Sequence, residues 1–269
     1  SICCASTALM SSERAGVLYL IPNTLGGSVH ASLPDATLTR LRALRYLIAE
    51  DPKNARSLLK AAETTVPLQS ILIERLDEHT PPGALDDLLS PLEAGTDGGL
   101  VSDAGCPAIA DPGASLVRIA HAKGIRVVPL VGPSSILRAM MASGLDGQRF
   151  AFHGYLPVAK QALVQRLNTL EKASGRDSQT QIFIETPYRN ERMLRFLLQS
   201  LGESTLLCVA SDLTLATQAI HTKAIRDWRR DGTPSLGNRP CVFLFLASPE
   251  KTRLSARPAN RALKASRGR

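Results

Sequence analysis

The chain has 269 residues, of which 44% are hydrophobic and 21% are charged. This length and composition fit two compact α/β domains and exclude a fibrous or wholly disordered protein. The formal net charge of +8 favours acidic or polyanionic partners. No stretch approaches the roughly 18–20 apolar residues that span a membrane, so no membrane partner is predicted.

The chain begins with a segment, 1–15, that is expected to be disordered, with Met10 as a candidate natural start. Apolar runs and amphipathic segments then alternate through an N-terminal α/β domain, 16–152. This alternation predicts a mostly parallel sheet covered by helices. The predicted strands are Val17–Ile21, Tyr46–Ala49, 69–74, 99–101 and 125–131, and the predicted helices are 35–45 (with Asp35 as N-cap), 54–62, 83–94, 114–123 and 134–143.

The second half of the chain is predicted to be a C-terminal α/β domain, 153–248, because aromatic residues at 150–155 interrupt the pattern before Leu156 and Pro157. Its strands are less regularly separated by helices, so a mixed sheet is expected. The predicted strands are Thr180–Glu185, 205–210, 217–221 and 241–247, and the predicted helices are 162–173, 189–201 and 222–230.

The last segment, 249–269, is a basic tail that carries seven Lys or Arg residues and no acid between positions 251 and 269. Such a tail holds RNA phosphates through counterion release, or it remains a solvated segment. Charge alone leaves both interpretations open.

Five cysteines are present, and their spacing matches neither a metal site nor a disulfide scaffold. Reduced thiols, no metal and a cytoplasmic location are therefore predicted. Cys106 lies in the loop described next and is a candidate nucleophile, although no base is near it in the sequence.

The loop from position 100 to 113 reads LVSDAGCPAIADPG and lies between a predicted strand and a predicted helix. In open α/β sheets ligands bind beyond the carboxyl ends of the strands, and small residues let a ligand approach the backbone. Asp103 and Asp111 offer carboxylates that suit an ammonium group or ribose hydroxyls. The same composition also fits an ordinary turn with capping aspartates, and no GxGxxG or P-loop motif is present.

The residue order in this loop resembles the cofactor loop of the tetrapyrrole (corrin/porphyrin) methylase superfamily. It is particularly similar to the branch that methylates the cytidine 2′-hydroxyl of small-subunit ribosomal RNA. Further motifs follow in order: GIRVVPLVGP at 124–133, GYLP at 154–157 and FIETPYR at 183–189. The resemblance spans roughly residues 17–247.

The resemblance implies a two-domain tetrapyrrole-methylase fold (class III methyltransferase) with a mostly parallel N-terminal sheet and a mixed C-terminal sheet. It implies S-adenosylmethionine bound in the cleft between the domains, and a homodimer. The cofactor-binding residues implied are Pro22, Leu100, Ser102, Asp103, Ala104, Ile109, Ser134, Ser135, Tyr155, Leu156, Ala210 and Pro240.

A hydroxyl acceptor needs a base or a charge-stabilising group. Glu185 and Asp51 are the candidate catalytic residues, and Glu50 and Asp103 also stand at matching motif positions. An ion pair with Arg189 is an equal interpretation for Glu185.

The chain departs from the RNA-methylating branch outside the cofactor loop, at positions expected to face the methyl acceptor. The altered segments are 22–27, 50–55, 76–79, 210–217 and 238–240. Three functions therefore remain open. The first is methylation of RNA, bound through the basic surface and tail. The second is methylation of a tetrapyrrole or another small molecule, and the third is cofactor binding without catalysis.

Overall fold

The computed structural model of the protein describes residues 15–248. Residues 1–14, from the segment that is expected to be disordered, lie outside the described residues. The basic tail at 249–269 also lies outside them. Cys3, Cys4 and Met10 lie outside them as well.

The first half forms a five-stranded sheet in the order β3-β2-β4-β1-β5, with every pair parallel. Short turns and helices connect the strands in chain order. The elements are β1 (Val17–Ile21), α1 (Val29–Ser32), α2 (Asp35–Ala43), β2 (Tyr46–Ala49), α3 (Pro52–Ala61), β3 (Leu72–Arg75), α4 (Ala84–Glu93), β4 (Gly98–Val101), α5 (Ala114–Ala122) and β5 (Arg126–Pro129).

The central strands of this sheet are covered on both faces. Leu38 of α2 and Leu59 of α3 are fully buried on one face, and Leu89 of α4 and Leu116 of α5 are fully buried on the other. Burial on both faces explains why β2 and β4 have no exposed position. The carboxyl edge of the sheet, where loops follow β1 and β4, is left open for a site.

The second half forms a mixed five-stranded sheet in the order β6-β7-β10-β8-β9. β6 and β7 pair in parallel, and the other pairs are antiparallel. The parallel first sheet and mixed second sheet confirm the predicted fold class. The elements are α6 (Ser135–Ser143), β6 (Phe150–Tyr155), α7 (Lys160–Asp177), β7 (Thr180–Glu185), α8 (Asn190–Ser200), β8 (Leu206–Ser211), β9 (Ala219–Ala224), α9 (Ile225–Asp231) and β10 (Cys241–Leu246).

Helix α6 packs on the second sheet, although it precedes the aromatic segment at 150–155 in the chain. Its buried residues Ile136 and Met140 pack with Ile182 and Val242 of that sheet. β6 also lies wholly in the second sheet, so the predicted domain boundary between 152 and 153 falls inside a strand. We propose that the chain crosses between the two units near residues 130–134.

Several element boundaries differ from the sequence-based prediction. β9 occupies Ala219–Ala224 where a strand at 217–221 was expected, because Asp212 and Thr214 have positive φ and the chain turns there first. Asp35 was expected as the N-cap of α2, but it is the first residue of the helix and Pro34 is the N-cap. The Asp35 carboxylate therefore interacts with the positive end of the helix dipole and makes no capping hydrogen bond. None of the helices among residues 15–248 is long and apolar enough to cross a lipid bilayer.

Candidate active site

The loops after β1 and β4 are joined by main-chain hydrogen bonds, because the two strands are parallel neighbours. The Asn23 N–H donates to the Gly105 carbonyl at 2.8 Å, and the Gly105 N–H donates to the Asn23 carbonyl at 3.2 Å. The buried Asn23 side chain donates from Nδ2 to the carbonyls of Ser102 and Asp103, at 3.2 and 3.0 Å. Asn23 therefore fixes the entry of the loop 102–113 to the end of β1.

This loop contains an unusual density of positive φ angles. Gly105 has φ 71°, Ala108 has φ 65°, Ala110 has φ 64° and Gly113 has φ 130°. Left-handed alanines cost free energy and persist where surrounding structure holds them. The loop is therefore a tightly wound segment with short side chains, which leaves its main chain open to a ligand.

A cleft lies between this loop and the end of the second sheet. Its first wall consists of Leu25 and the loop residues at 104–106 and 109–111. Its second wall consists of Tyr155, residues 184, 185 and 187, Leu213, and residues 240–242. The start of α6, at residues 134–136, forms the remaining side. No Lys or Arg of the described chain lines the cleft.

Asp111 is the charged residue of the first wall. Burial, followed by the nearby carboxylates of Glu50 and Asp103, raises the pKa of Asp111 to about 6. Burial and the carboxylate of Asp103, followed by Glu78, raise the pKa of Glu50 as well. The carboxylates of Glu50 and Asp103 add negative potential at Asp111, so this wall of the cleft favours a cationic group.

The thiol of Cys106 donates to the Pro133 carbonyl, 3.5 Å away. Burial, together with Asp111, raises the pKa of this thiol, which disfavours the thiolate. Burial raises the pKa of Cys241, which also lines the cleft, to about 12. The geometry therefore does not support Cys106 as a nucleophile.

Glu185 ends β7 and lies in the second wall. Its side chain is 1% exposed, and Oε1 accepts from the N–H of Thr186 at 2.8 Å and from its hydroxyl at 3.3 Å. Nη2 of Arg189 lies 2.8 Å from Oε2, so the ion pair between Glu185 and Arg189 is present. Glu185 nevertheless lines the cleft.

The rest of the second wall is held by a second charge pair. Asp212 is buried with φ 51°, and its Oδ2 accepts from the Thr217 hydroxyl at 2.8 Å and lies 3.6 Å from Nη1 of Arg239. The Asp212 N–H donates to the Pro240 carbonyl at 3.1 Å. These contacts join the loop after β8 to the segment before β10, which places Leu213 and Pro240 at the cleft.

Two of the segments that depart from the RNA-methylating branch meet in space. A Cβ at Gly26 would lie 3.5 Å from Leu215, and a Cβ at Gly27 would lie 3.6 Å from the Thr214 carbonyl. Leu25 and Leu213, one from each segment, both line the cleft. The departures at 22–27 and 210–217 therefore form one apolar rim.

The structure brings part of the predicted site together at the cleft. Six of the twelve cofactor-binding candidates and one catalytic candidate line it, namely Ala104, Ile109, Ser134, Ser135, Tyr155, Pro240 and Glu185.

The remaining candidates lie behind the cleft wall or beside it. Leu100, Leu156 and Ala210 are buried in the cores, and the Ser102 hydroxyl donates to the Gly105 carbonyl at 3.1 Å. The other two candidates are in contact with loop residues: the Asp103 carbonyl accepts from Asn23, and Pro22 packs against Gly132.

Asp51, the other catalytic candidate, does not line the cleft. It is the N-cap of α3, and its Oδ1 accepts from the Lys53 N–H at 2.8 Å. The Pro that follows it at the first helical position completes a common helix start. A capping role therefore accounts for Asp51.

Three apolar residues of the cleft are not expected from the sequence, namely Ile136, Ile184 and Val242. They lie on three different segments, and their apolar patterns are those of ordinary core residues. Leu25 and Leu213 also line the cleft, and they lie in the segments 22–27 and 210–217, which are expected to face the methyl acceptor. Among residues 15–248, no group of His, Cys, Asp and Glu could hold a metal ion.

Curated proteins named ribosomal RNA small subunit methyltransferase I are similar to this chain. The one from Escherichia coli O157:H7 is 34% identical over 206 residues, which cover 77% of this chain and 68% of the relative. The one from Synechocystis sp. is 34% identical over 199 residues, covering 74% and 67%. The one from Bacillus subtilis is 33% identical over 202 residues, covering 74% and 64%. No model of a known protein family matches the chain.

Among solved structures, the methyltransferase CobJ has a similar fold. The two structures superpose with a TM-score of 0.58 at 18% identity, over 87% of this chain and 95% of CobJ. This likeness confirms the predicted tetrapyrrole-methylase fold. The relatives establish that the chain belongs to the ribosomal RNA small subunit methyltransferase I family and is a methyltransferase.

Proposed function

We propose that this methyltransferase uses S-adenosylmethionine to methylate RNA of the small ribosomal subunit, at a ribose 2′-hydroxyl. The observation that carries the proposal is the cleft, where the loop that resembles a cofactor loop faces a buried glutamate of the other unit. The names of relatives about one third identical to the chain support the RNA substrate.

The residues of the cleft fit S-adenosylmethionine. The cofactor carries an ammonium group and a sulfonium centre, and Asp111 offers a carboxylate that gains from a cationic neighbour. Exposed apolar surface at Ile109 and Tyr155 suits an adenine ring, and the hydroxyls of Ser134 and Ser135 suit polar groups. When bound, the cofactor supplies an electrophilic methyl group.

The residues of the chain contribute chiefly by alignment and by excluding water. Methyl transfer is an in-line displacement, and holding two reactants in line contributes on the order of 7–11 kcal/mol. Asn23 fixes the first wall and the Asp212–Arg239 pair fixes the second wall, so each side of the cleft keeps its shape.

The phosphates of an RNA substrate must lie outside the cleft, because no basic side chain of the described chain lines it. The net charge of +8 and the basic segment at 249–269 supply cations for that contact. Because the proposed substrate is ribosomal RNA, we place the enzyme in the cytoplasm.

We also propose a homodimer. The supporting observation is exposed apolar side chains around α6: Val131 is 71% exposed, Leu137 is 53% exposed and Met141 is 86% exposed. Leu137 and Met141 are one helical turn apart, on the same face of α6. A monomeric mass in light scattering at micromolar concentration contradicts this part of the proposal.

Cofactor binding is tested by calorimetry with S-adenosylmethionine. The Ile109→Trp variant places a large ring in the cleft and is expected to lower the affinity at least about 10-fold, since a blocked pocket loses most of its contacts. Val158→Trp is the matched control, because Val158 is 60% exposed and does not line the cleft. Equal losses in both variants contradict the assignment of the site.

The acceptor is tested by transfer of a labelled methyl group. Small-subunit particles, total RNA and a reduced tetrapyrrole are offered in parallel, and label in RNA ribose is the expected result. Label in the tetrapyrrole alone identifies the second function considered from the sequence. Cofactor binding with no transfer to any acceptor contradicts the proposed RNA substrate.

A further inference from the structure

The Glu185 carboxylate is buried at the cleft with one oxygen committed and the other without a hydrogen-bond donor. Oε1 accepts two hydrogen bonds from Thr186. Oε2 has no hydrogen-bond partner among residues 15–248, because the 2.8 Å contact from Arg189 lacks hydrogen-bond geometry. Buried polar atoms are almost always paired, so an unpaired one at a cavity points to a ligand group.

Arg189, the ion-pair partner of this carboxylate, also has a polar atom without a hydrogen bond. Nε of Arg189 is also buried without an acceptor among the described residues. A purely structural buried ion pair is favourable only when its remaining donors and acceptors are satisfied. The Glu185–Arg189 pair leaves Oε2 and Nε without hydrogen bonds, so the ion pair accounts for only part of what these two atoms can bind.

The other acidic residues near the cleft are already engaged or lie on the opposite wall. Asp51 caps α3, and Asp212 accepts from Thr217 beside Arg239. Asp111 lines the first wall, in the loop assigned to the cofactor. Glu185 is therefore the carboxylate that faces the cofactor loop across the cleft.

We propose that Glu185 is a catalytic residue whose Oε2 receives the proton of the acceptor hydroxyl, a role that rests on the proposed function. The acceptor oxygen forms its bond to the methyl carbon while the carbon–sulfur bond breaks, and the electron pair of that bond stays on sulfur. The hydroxyl proton passes to Oε2 and then to solvent. Thr186 and Arg189 are positioning residues that hold the carboxylate.

The experiment compares four proteins: the wild type, Glu185→Gln, the double variant Glu185→Gln/Arg189→Met, and Glu203→Gln. The glutamine keeps the size of the side chain and an oxygen for the Thr186 N–H but cannot take the proton. The double variant removes both charges of the pair, so it separates catalysis from the burial of an unpaired arginine. Glu203 is 77% exposed on the surface and serves as the matched control.

Calorimetry with S-adenosylmethionine and labelled methyl transfer to small-subunit particles are measured for each protein. We expect cofactor affinities within about 3-fold of the wild type, while kcat falls about 100-fold or more in both Glu185 variants. Glu203→Gln is expected to match the wild type throughout.

Transfer by the double variant within about 3-fold of the wild type overturns the role of Glu185, with the proposed function intact. A wild type that binds the cofactor but leaves small-subunit RNA unlabelled overturns the proposed function, and the role of Glu185 with it. Retained transfer in the double variant and absent transfer in the wild type are different results, so the two failures can be distinguished.

Discussion

The first wall of the cleft is fixed by its main chain, whereas the second wall is fixed by charged side chains. On the first wall, Asn23 and Gly105 exchange main-chain hydrogen bonds and four residues adopt positive φ. On the second wall, the pairs Glu185–Arg189 and Asp212–Arg239 hold the chain. The first wall therefore depends on the shape of its backbone, while the second wall depends on which charged side chains it carries.

Resemblance to the RNA-methylating branch does not follow this division of the cleft. The first wall contains the loop at 100–113, which resembles the cofactor loop, and Leu25, from the departing segment at 22–27. The second wall contains Glu185, from the matching segment at 183–189, and Leu213, from the departing segment at 210–217. Each wall therefore combines a matching and a departing segment.

A substitution at Gly113 is the strongest test of the difference between the two walls. Its φ of 130° and a distance of 2.7 Å from an added Cβ to Cδ2 of Leu100 mean that Gly113→Ala strains the backbone and overpacks the core. We expect a loss of about 2–4 kcal/mol in the free energy of unfolding, measured in urea.

Gly124→Ala is the matched control for that experiment. Gly124 also has positive φ, but no atom lies within 4 Å of an added Cβ. The expected loss is about 1 kcal/mol, since only the backbone conformation is disfavoured. Equal losses at the two glycines contradict a rigid main-chain wall.

A smaller effect is expected on the second wall, at Asp212. Asp212→Ala leaves the Thr217 hydroxyl without its acceptor and removes the partner of Arg239, which is 33% exposed and can turn to water. We expect a loss of about 2 kcal/mol in urea unfolding. Asp212→Asn keeps an acceptor oxygen and tolerates the φ of 51°, so its loss should stay below about 1 kcal/mol. An asparagine as damaging as the alanine would show that charge, and not the hydrogen bond, dominates.

The smallest expected effect is a gain in stability at Asp111. Because the pKa of this carboxyl is raised to about 6, the folded protein binds the proton more tightly than the unfolded chain does. Its contribution to stability therefore falls as pH rises from about 4 to about 6, and it is unfavourable above that window. We expect Asp111→Asn to be about 1 kcal/mol more stable than the wild type at pH 8, with little difference at pH 4. A pH-independent difference contradicts the raised pKa.

The sequence predicts the first wall better than the second, for a physical reason. The first wall follows directly from a buried strand, Gly98–Val101, and a contiguous loop, so its position is a local consequence of the chain order. The second wall gathers Ile184, Leu213 and Val242 from three strands or loops of a mixed sheet. Only the pairing of β7, β8 and β10 brings these segments together, and single-sequence periodicity does not specify that pairing.

Two positions illustrate the same limit. Asp51 follows a buried strand, as a catalytic carboxylate would, but the Pro after it makes it a helix cap. Helix α6 follows a strand of the first sheet and was grouped with it, yet its apolar face, including Ile136 and Met140, packs on the second sheet. In both cases local sequence fits two roles, and the tertiary partner decides between them.

The position of α6 has a consequence for energetic coupling within the molecule. β5 of the first sheet ends at Pro129, α6 begins at Ser135 on the second sheet, and each sheet has its own cores. A ligand that touches both walls is therefore held by residues of both sheets. By reciprocal linkage, a change that strengthens the packing between the two walls raises ligand affinity by the same factor by which the ligand strengthens that packing.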